Sequence, residues 1–210
     1  MKFKNTIIIG ANNPTIIRTI NDINSFSKTI NVLGFIDNNF QNIGNFYHGI
    51  PILGGLNDLK YFPEDVSLIN TIASKTNLRK EITNSFIEQG FNFLNVIHPS
   101  INIDSVTFGQ GNIVYENSMI HPQVKIGSHN VISSCSGIAH ESSIGDYNFI
   151  GPASYICGKV KICDLVYIGV GAKVLPRLTL GSDSLIAAGA VVISDIKSNS
   201  RVRGVPAKPF

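Results

Sequence analysis

The chain has 210 residues, 43% of them apolar and 15% charged, and a formal net charge of +3; this suffices to core one large or two small domains. No apolar run approaches the ~20 residues that span a bilayer and no leader-like start is present, so no membrane association is expected, and without a Lys/Arg cluster the charge is diffuse, which argues against nucleic acid. Cys135, Cys157 and Cys163 form no CxxC pair and leave one over, which suits a reducing, cytoplasmic setting and a role as small apolar fillers.

In chain order, Lys4 to Ile9 is an apolar run of strand length and predicts a buried strand. Asn13 can cap, and Pro14 begin, a helix running to about Phe26, because proline's missing N–H costs nothing in a first turn. Val32 to Ile36 predicts a second strand, and Gly49 to Gly55 a short strand and turn before a brief helix near Leu56 to Tyr61. Val66 to Ile72, a helix from about Asn77 to Gln89, and Phe91 to Leu94 complete the segment. Alternating strands and helices predict a small α/β domain with a parallel sheet over residues 1–96. Ile97-His98-Pro99-Ser100 is the joint to a second domain, 97–210.

That second domain has a different beat. From Phe108, every sixth residue is aliphatic: Val114, Ile120, Ile126, and so on without a polar step to Val192. Four places after each comes mostly a small or short residue, with Asn112, Asn130 and Asn148 as polar exceptions. A helix would need spacings of three and four and a strand a spacing of two, so the unit is a short strand plus a corner. Stacked units of that kind make a parallel β-helix, whose inward side chains bury against the turns above and below. With three hexads per coil, positions 18 apart stack, each coil rising by about 4.8 Å.

The hexads, the pair His140-Glu141 and the closing Gly204-Val205-Pro206-Ala207-Lys208 resemble the PglD/NeuD-like sugar acetyltransferases. The likeness runs through the first domain as Gly34-Phe35-Ile36-Asp37, Gly49-Ile50-Pro51-Ile52-Leu53-Gly54 and Asn77-Leu78-Arg79. It implies a small Rossmann-like nucleotide-sugar-binding domain and a left-handed β-helix. It also implies a homotrimer with active sites between subunits, and acetyl transfer from acetyl-CoA to the amine or hydroxyl of a small-molecule sugar acceptor. The alternative is a catalytically silent trimeric binding or scaffolding protein of the same fold.

Acyl transfer from a thioester needs a base for the nucleophile's proton, and a free imidazole, with a pKa near 6.5, is largely neutral at pH 7. His140, two places after Ile138, approaches a corner where side chains project outward. In a straight strand Glu141 would face away from it, so the carboxylate reaches the imidazole only if the corner bends the backbone. The resemblance gives His140 the base and Glu141 the enhancing carboxylate; without it, a surface His beside a Glu is ordinarily just solvated. Gly158, one coil on from His140, reads either as an oxyanion donor or as relief for a tight corner. The resemblance places acetyl-CoA against Phe149, Val170 and Ala188, although the small residues of the column Pro152, Val170, Ala188 read equally as packing. His121 and His129 lack a third zinc ligand and are expected at the surface, so no metal is expected.

In the first domain, Gly10-Ala11-Asn12-Asn13-Pro14 follows a strand and opens a helix, which reads as a phosphate-facing turn or as a plain connection. Asp37 fits a ribose hydroxyl by resemblance and a turn before Asn38-Asn39 by its own chemistry. Ser74 stands where the family often has a glycine lining the same pocket, and Asn12-Asn13-Pro14 replaces a turn of smaller residues. Acetyl transfer is therefore the firmer expectation, and the acceptor the less specified one.

Overall fold

The computed structural model describes residues 4–27, 29–39, 43–63 and 65–210. Residues 4–93 build a sheet in the order β3-β4-β2-β1-β5-β6, from β1 (Lys4–Ile9), β2 (Ile30–Ile36), β3 (Phe46–Tyr47), β4 (Ile50–Gly54), β5 (Ser67–Asn70) and β6 (Asn92–Phe93). All neighbours are parallel except the β3/β4 hairpin, whose first strand the sequence reading did not anticipate. Helix α1 (Pro14–Ser27) starts at the proline, with the Asn13 side chain accepting from the Thr15 N–H at 3.1 Å. Leu56–Tyr61 is a 3₁₀ turn, and α2 is Thr76–Ile87. The strand expected over Val66 to Ile72 is shorter, at Ser67–Asn70.

Strand alternation sends Ile8 to one side of the sheet and Ile7 and Ile9 to the other. Ile7 and Ile9 join Leu59, Leu68, Phe86 and Phe91 in a core on the far side. Ile8 joins Ile16 and Ile20 of α1 in a core that also takes in Ile113, Tyr115, Val131 and Phe149 from the second half of the chain. One apolar layer thus docks the sheet and α1 onto the repeats. At the joint, His98 bonds the Asp22 carboxylate through Nε2 (3.1 Å) and the Ser100 hydroxyl through Nδ1 (2.8 Å), fastening it to α1.

From Val96 onward the chain winds as a triangular parallel β-helix of short strands paired 18 residues apart, except at the ends of the third face, where Val96 pairs with Ile113 and Leu185 with Arg201. The first face holds Met119–Ile120, Gly137–Ile138, Tyr155–Ile156, Lys173–Val174 and Val191–Val192. The second runs from Thr107–Phe108 to Thr179–Leu180, and the third from Val96–Ile97 to Arg201–Arg203, closed by antiparallel Lys208–Pro209. The sixth-residue aliphatics fill the axis from Val114 to Val192 as one buried cluster. Each fully buried aliphatic contributes roughly 1.5–3 kcal/mol, so the inward repeat is the main force holding the prism.

The polar exceptions have a structural cause. Asn112 Oδ1 accepts from the Asn130 N–H (2.9 Å), Asn130 Oδ1 from the Asn148 N–H (2.8 Å), and Asn148 Oδ1 from the Val166 N–H (2.7 Å). An interior amide stacked on its copy one coil away satisfies a backbone donor that would otherwise be buried unpaired. The corners need left-handed backbone, and non-glycine residues supply it in three columns 18 apart, such as Gln123, Glu141, Lys159 and Arg177, with φ of 58 to 64°. The inter-coil hydrogen bonds hold them there: the Lys159 N–H donates to the His140 carbonyl at 3.0 Å.

Candidate active site

His140 and Glu141 form the corner between the first and second faces. Glu141 has φ 58°, and that left-handed turn folds two successive side chains, opposed in a straight strand, onto the same side. His140 Nδ1 lies 2.9 Å from Glu141 Oε2, with the imidazole 57% and the carboxylate 43% exposed. The bend that the sequence could state only as a condition is present. Lys159, one coil on and in the same backbone conformation, brings its Nζ to 3.5 Å from the same Oε2.

The hydrogen bond from His140 first, and the charge of Lys159 after it, lower the Glu141 carboxyl below its ordinary value against an opposing effect of desolvation. Glu141 is therefore an anion at neutral pH, which assigns the proton to Nδ1 and leaves Nε2 as an acceptor. Gly158 lies directly beside that nitrogen: a Cβ there would sit 2.7 Å from Nε2. Both readings of this glycine acquire geometry, since it makes room for the ring and its N–H makes no backbone hydrogen bond among the described residues.

The structure does not bring all the expected residues together within one chain. Val170 (52% exposed) and Ala188 lie with Pro152 on the edge between the third and first faces, across the width of the first face from His140. Phe149 is on the third face, buried against the sheet domain and stacked on Tyr167 with ring centroids 5.0 Å apart. Its side chain is core, not part of the exposed column.

In the sheet domain, Asn12, Asn13 and Ser74 line one cleft of about 370 Å³ with Thr71–Ala73, Lys75 and Leu78. Asn13 also donates from Nδ2 to the Tyr115 hydroxyl at 2.7 Å, a phenol that burial pushes up to about 12. Gly10 has φ 90°, and the Thr71 hydroxyl donates to the Ile9 carbonyl at 2.7 Å, so the turn before Pro14 is fixed from below. Asp37 accepts the Ala11 N–H (2.8 Å) and the Asn39 N–H (2.8 Å), and Asn38 accepts the Leu56 N–H (2.9 Å). These two shape the loops at the strand ends and do not line the cleft. A second cavity, about 450 Å³, shares Ser74, Lys75 and Leu78 with it and is closed on the other side by Tyr167, Asp183 and Arg201.

His129, expected at the surface, is a correction: it is 4% exposed, stacked on Tyr147 (5.0 Å) and edge-on to Phe93 (5.2 Å). Its corner faces the sheet domain, which covers it, and hexad spacing alone cannot show what packs outside a coil. The link from Lys159 to Glu141 was missed although the signal existed, because the two are 18 apart in the same corner column. Arg79 entered the sequence reading only within the motif Asn77-Leu78-Arg79, and nothing in that motif signals its burial.

No family profile and no curated protein sequence matches the chain. Among solved structures it is similar to the perosamine N-acetyltransferase of Caulobacter crescentus in complex with CoA and GDP-perosamine, with TM-score 0.87 and 27% identity over 100% of this chain and 98% of that one. The acetyltransferase domain of PglB from Neisseria gonorrhoeae in complex with acetyl coenzyme A superposes with TM-score 0.88 at 21% identity, over 100% of both chains. WeeI from Acinetobacter baumannii gives 0.85 at 23% over 98% and 99%; these last two speak for the fold. The stacked parallel strands in hexads fit the left-handed β-helix of an acyltransferase, the class of these neighbours. The neighbours of that fold are PglD/NeuD-like sugar acetyltransferases, to which this chain is similar.

Proposed function

We propose that this protein transfers the acetyl group of acetyl-CoA to an amine or hydroxyl of a nucleotide-linked sugar for surface glycan biosynthesis, as a cytoplasmic homotrimer. The observation that carries the proposal is the His140 Nδ1 to Glu141 Oε2 hydrogen bond of 2.9 Å at an outward corner, with Nε2 free beside Gly158. Nε2 takes the nucleophile's proton as nitrogen or oxygen attacks the thioester carbonyl. Glu141 keeps the ring in the productive tautomer and balances the imidazolium charge. The Gly158 N–H meets the tetrahedral oxyanion. Collapse breaks the carbon–sulfur bond, and the leaving thiolate recovers the proton from His140.

Residues 1–96 act in this reading as a small Rossmann-like domain that holds the nucleotide in the cleft of Asn12, Asn13 and Ser74, and residues 97–210 as the catalytic β-helix. Asp37 holds the turn before Pro14 through the Ala11 N–H and Asn38 fixes the neighbouring loop through the Leu56 N–H, while Gly10 and Pro14 set the turn itself. An amine acceptor is favoured because the Caulobacter neighbour carries GDP-perosamine and CoA.

Two edges of the prism support the trimer reading. The first face lies between the His140 edge and the Val170–Ala188 edge, and its outward Met119, Leu175 and Ile193 are exposed apolar side chains. Three copies meeting along it cover that stripe. They also set the base of one subunit beside the donor column of the next, which no single chain achieves. Val170 and Ala188 then meet the acyl donor, and Phe149 supports them from the core.

The test is thiol release from acetyl-CoA against nucleotide-linked amino sugars, GDP-perosamine among them, with His140→Ala alongside. Turnover with at least one acceptor, lost in the variant, is expected. Undiminished activity of His140→Ala removes the base, and no turnover with any acceptor removes the activity.

A further inference from the structure

Arg79, on α2, is 1% exposed, and its guanidinium uses every N–H it has. Nε donates to the His129 carbonyl at 3.1 Å; one Nη donates to the carbonyls of Tyr147 (2.6 Å) and Asn148 (2.9 Å). The other donates to the carbonyls of Ile72 (2.8 Å) and Ala73. A guanidinium has five donors in a rigid fork, and here all five are taken by backbone oxygens and none by a carboxylate. Burial lowers its pKa only to about 10, so it remains a cation at neutral pH. The neighbouring His129 adds no second charge, because burial lowers its pKa to about 4.

The division of those bonds is informative. Three go to an edge of the β-helix, on successive coils, and two go to the loop after β5. Within that loop, Ile72 and Ala73 line the cleft of Asn12 and Asn13, and the next two residues, Ser74 and Lys75, are common to that cleft and the cavity of Tyr167 and Arg201. Docking of the two halves does not need Arg79, since the apolar layer from Ile8 and Ile16 to Val131 and Phe149 already joins them. What the fork adds is a fixed height and angle for one loop over the coils.

We propose that Arg79 is a positioning residue for the acceptor: it holds the loop Ile72–Lys75 against the β-helix, so that a nucleotide in the cleft presents its sugar in a set register to the base. The proposal rests on the functional reading only in taking the cleft as the acceptor's site. A lysine offers three donors from a single point and cannot span both groups of carbonyls. A methionine leaves all five oxygens without this donor.

Two experiments decide it. In the unmodified, ligand-free chain, the Thr71 and Ile72 amides, which donate to the Ile9 carbonyl and to Asn70 Oδ1, should exchange as slowly as those of the coils; in Arg79→Lys they should speed up by about tenfold or more while the coil amides do not. This arm needs no turnover, so it stands even if the enzyme reading fails. Kinetics form the second arm, with GDP-perosamine as the probe acceptor. Arg79→Lys and Arg79→Met should raise the acceptor KM about 10- to 100-fold with the acetyl-CoA KM unchanged, and millimolar methylguanidinium should restore the acceptor KM in Arg79→Ala. A folded Arg79→Lys with unaltered loop exchange and acceptor KM overturns the proposal, as does a variant in which both KM values and all amides change together. If no variant folds, fast exchange of Thr71 and Ile72 in the unmodified chain overturns it, and slow exchange supports it.

Discussion

Replacing Gly158 with alanine adds one methyl group at the point where the base must lie. The new Cβ would stand 2.7 Å from His140 Nε2 and 2.9 Å from its Cε1, whereas ordinary van der Waals contact begins at 3.4 Å, so the ring must retreat by about 0.7 Å or rotate away. The imidazole is the end of an exposed side chain, so the fold yields cheaply: stability should change by less than about 0.5 kcal/mol, as for other surface substitutions. Chemistry should not yield cheaply. A displacement near 1 Å of a reacting group costs on the order of 10²-fold, so Gly158→Ala should lose roughly 10- to 100-fold in kcat with an unchanged melting temperature. The assay is initial-rate thiol release with acetyl-CoA and the best acceptor, beside thermal unfolding. Activity within about threefold of the unmodified enzyme would refute the placement of Nε2 as the working nitrogen.

Glu141→Gln removes the charge that balances the imidazolium and should lower kcat by about tenfold or more. Because the folded-state pKa of Glu141 is depressed, its ion pair persists above the ordinary carboxylate value and is lost only as pH falls through the lowered one. Carboxyl NMR should therefore show a midpoint below 4.5, rising in Lys159→Met; a midpoint above 4.5 contradicts the geometry. Leu175→Arg places a charge on the exposed apolar stripe of the first face and should yield monomers with little activity, seen by sedimentation and thiol release. His129 is held neutral by burial, with a pKa of about 4 against 6.5 when unfolded, so the unfolded chain binds the extra proton between those values. Stability should fall by up to about 3 kcal/mol on acidification from pH 6.5 to 4 and then level off, and His129→Phe should flatten that slope in denaturant titrations. A slope undiminished in that variant assigns the loss to other groups.

The sixth-residue run from Phe108 to Val192 determined the β-helix without help, because a period of six is compatible with neither helix nor flat strand and an apolar residue recurs at each such step to fill the axis. Asn13 and Pro14 likewise announced the start of α1 by local capping chemistry. Whether Glu141 reaches His140 was not legible, since it depends on a left-handed φ that stacked coils impose and glutamate does not itself prefer. Nor was the burial of His129 and Arg79, or the loss of Phe149 to the core, because those follow from the sheet domain settling on the outside of the coils. Sequence spacing fixes what stacks along the prism; only packing across its faces decides which outward side chains stay in solvent and which become part of another layer.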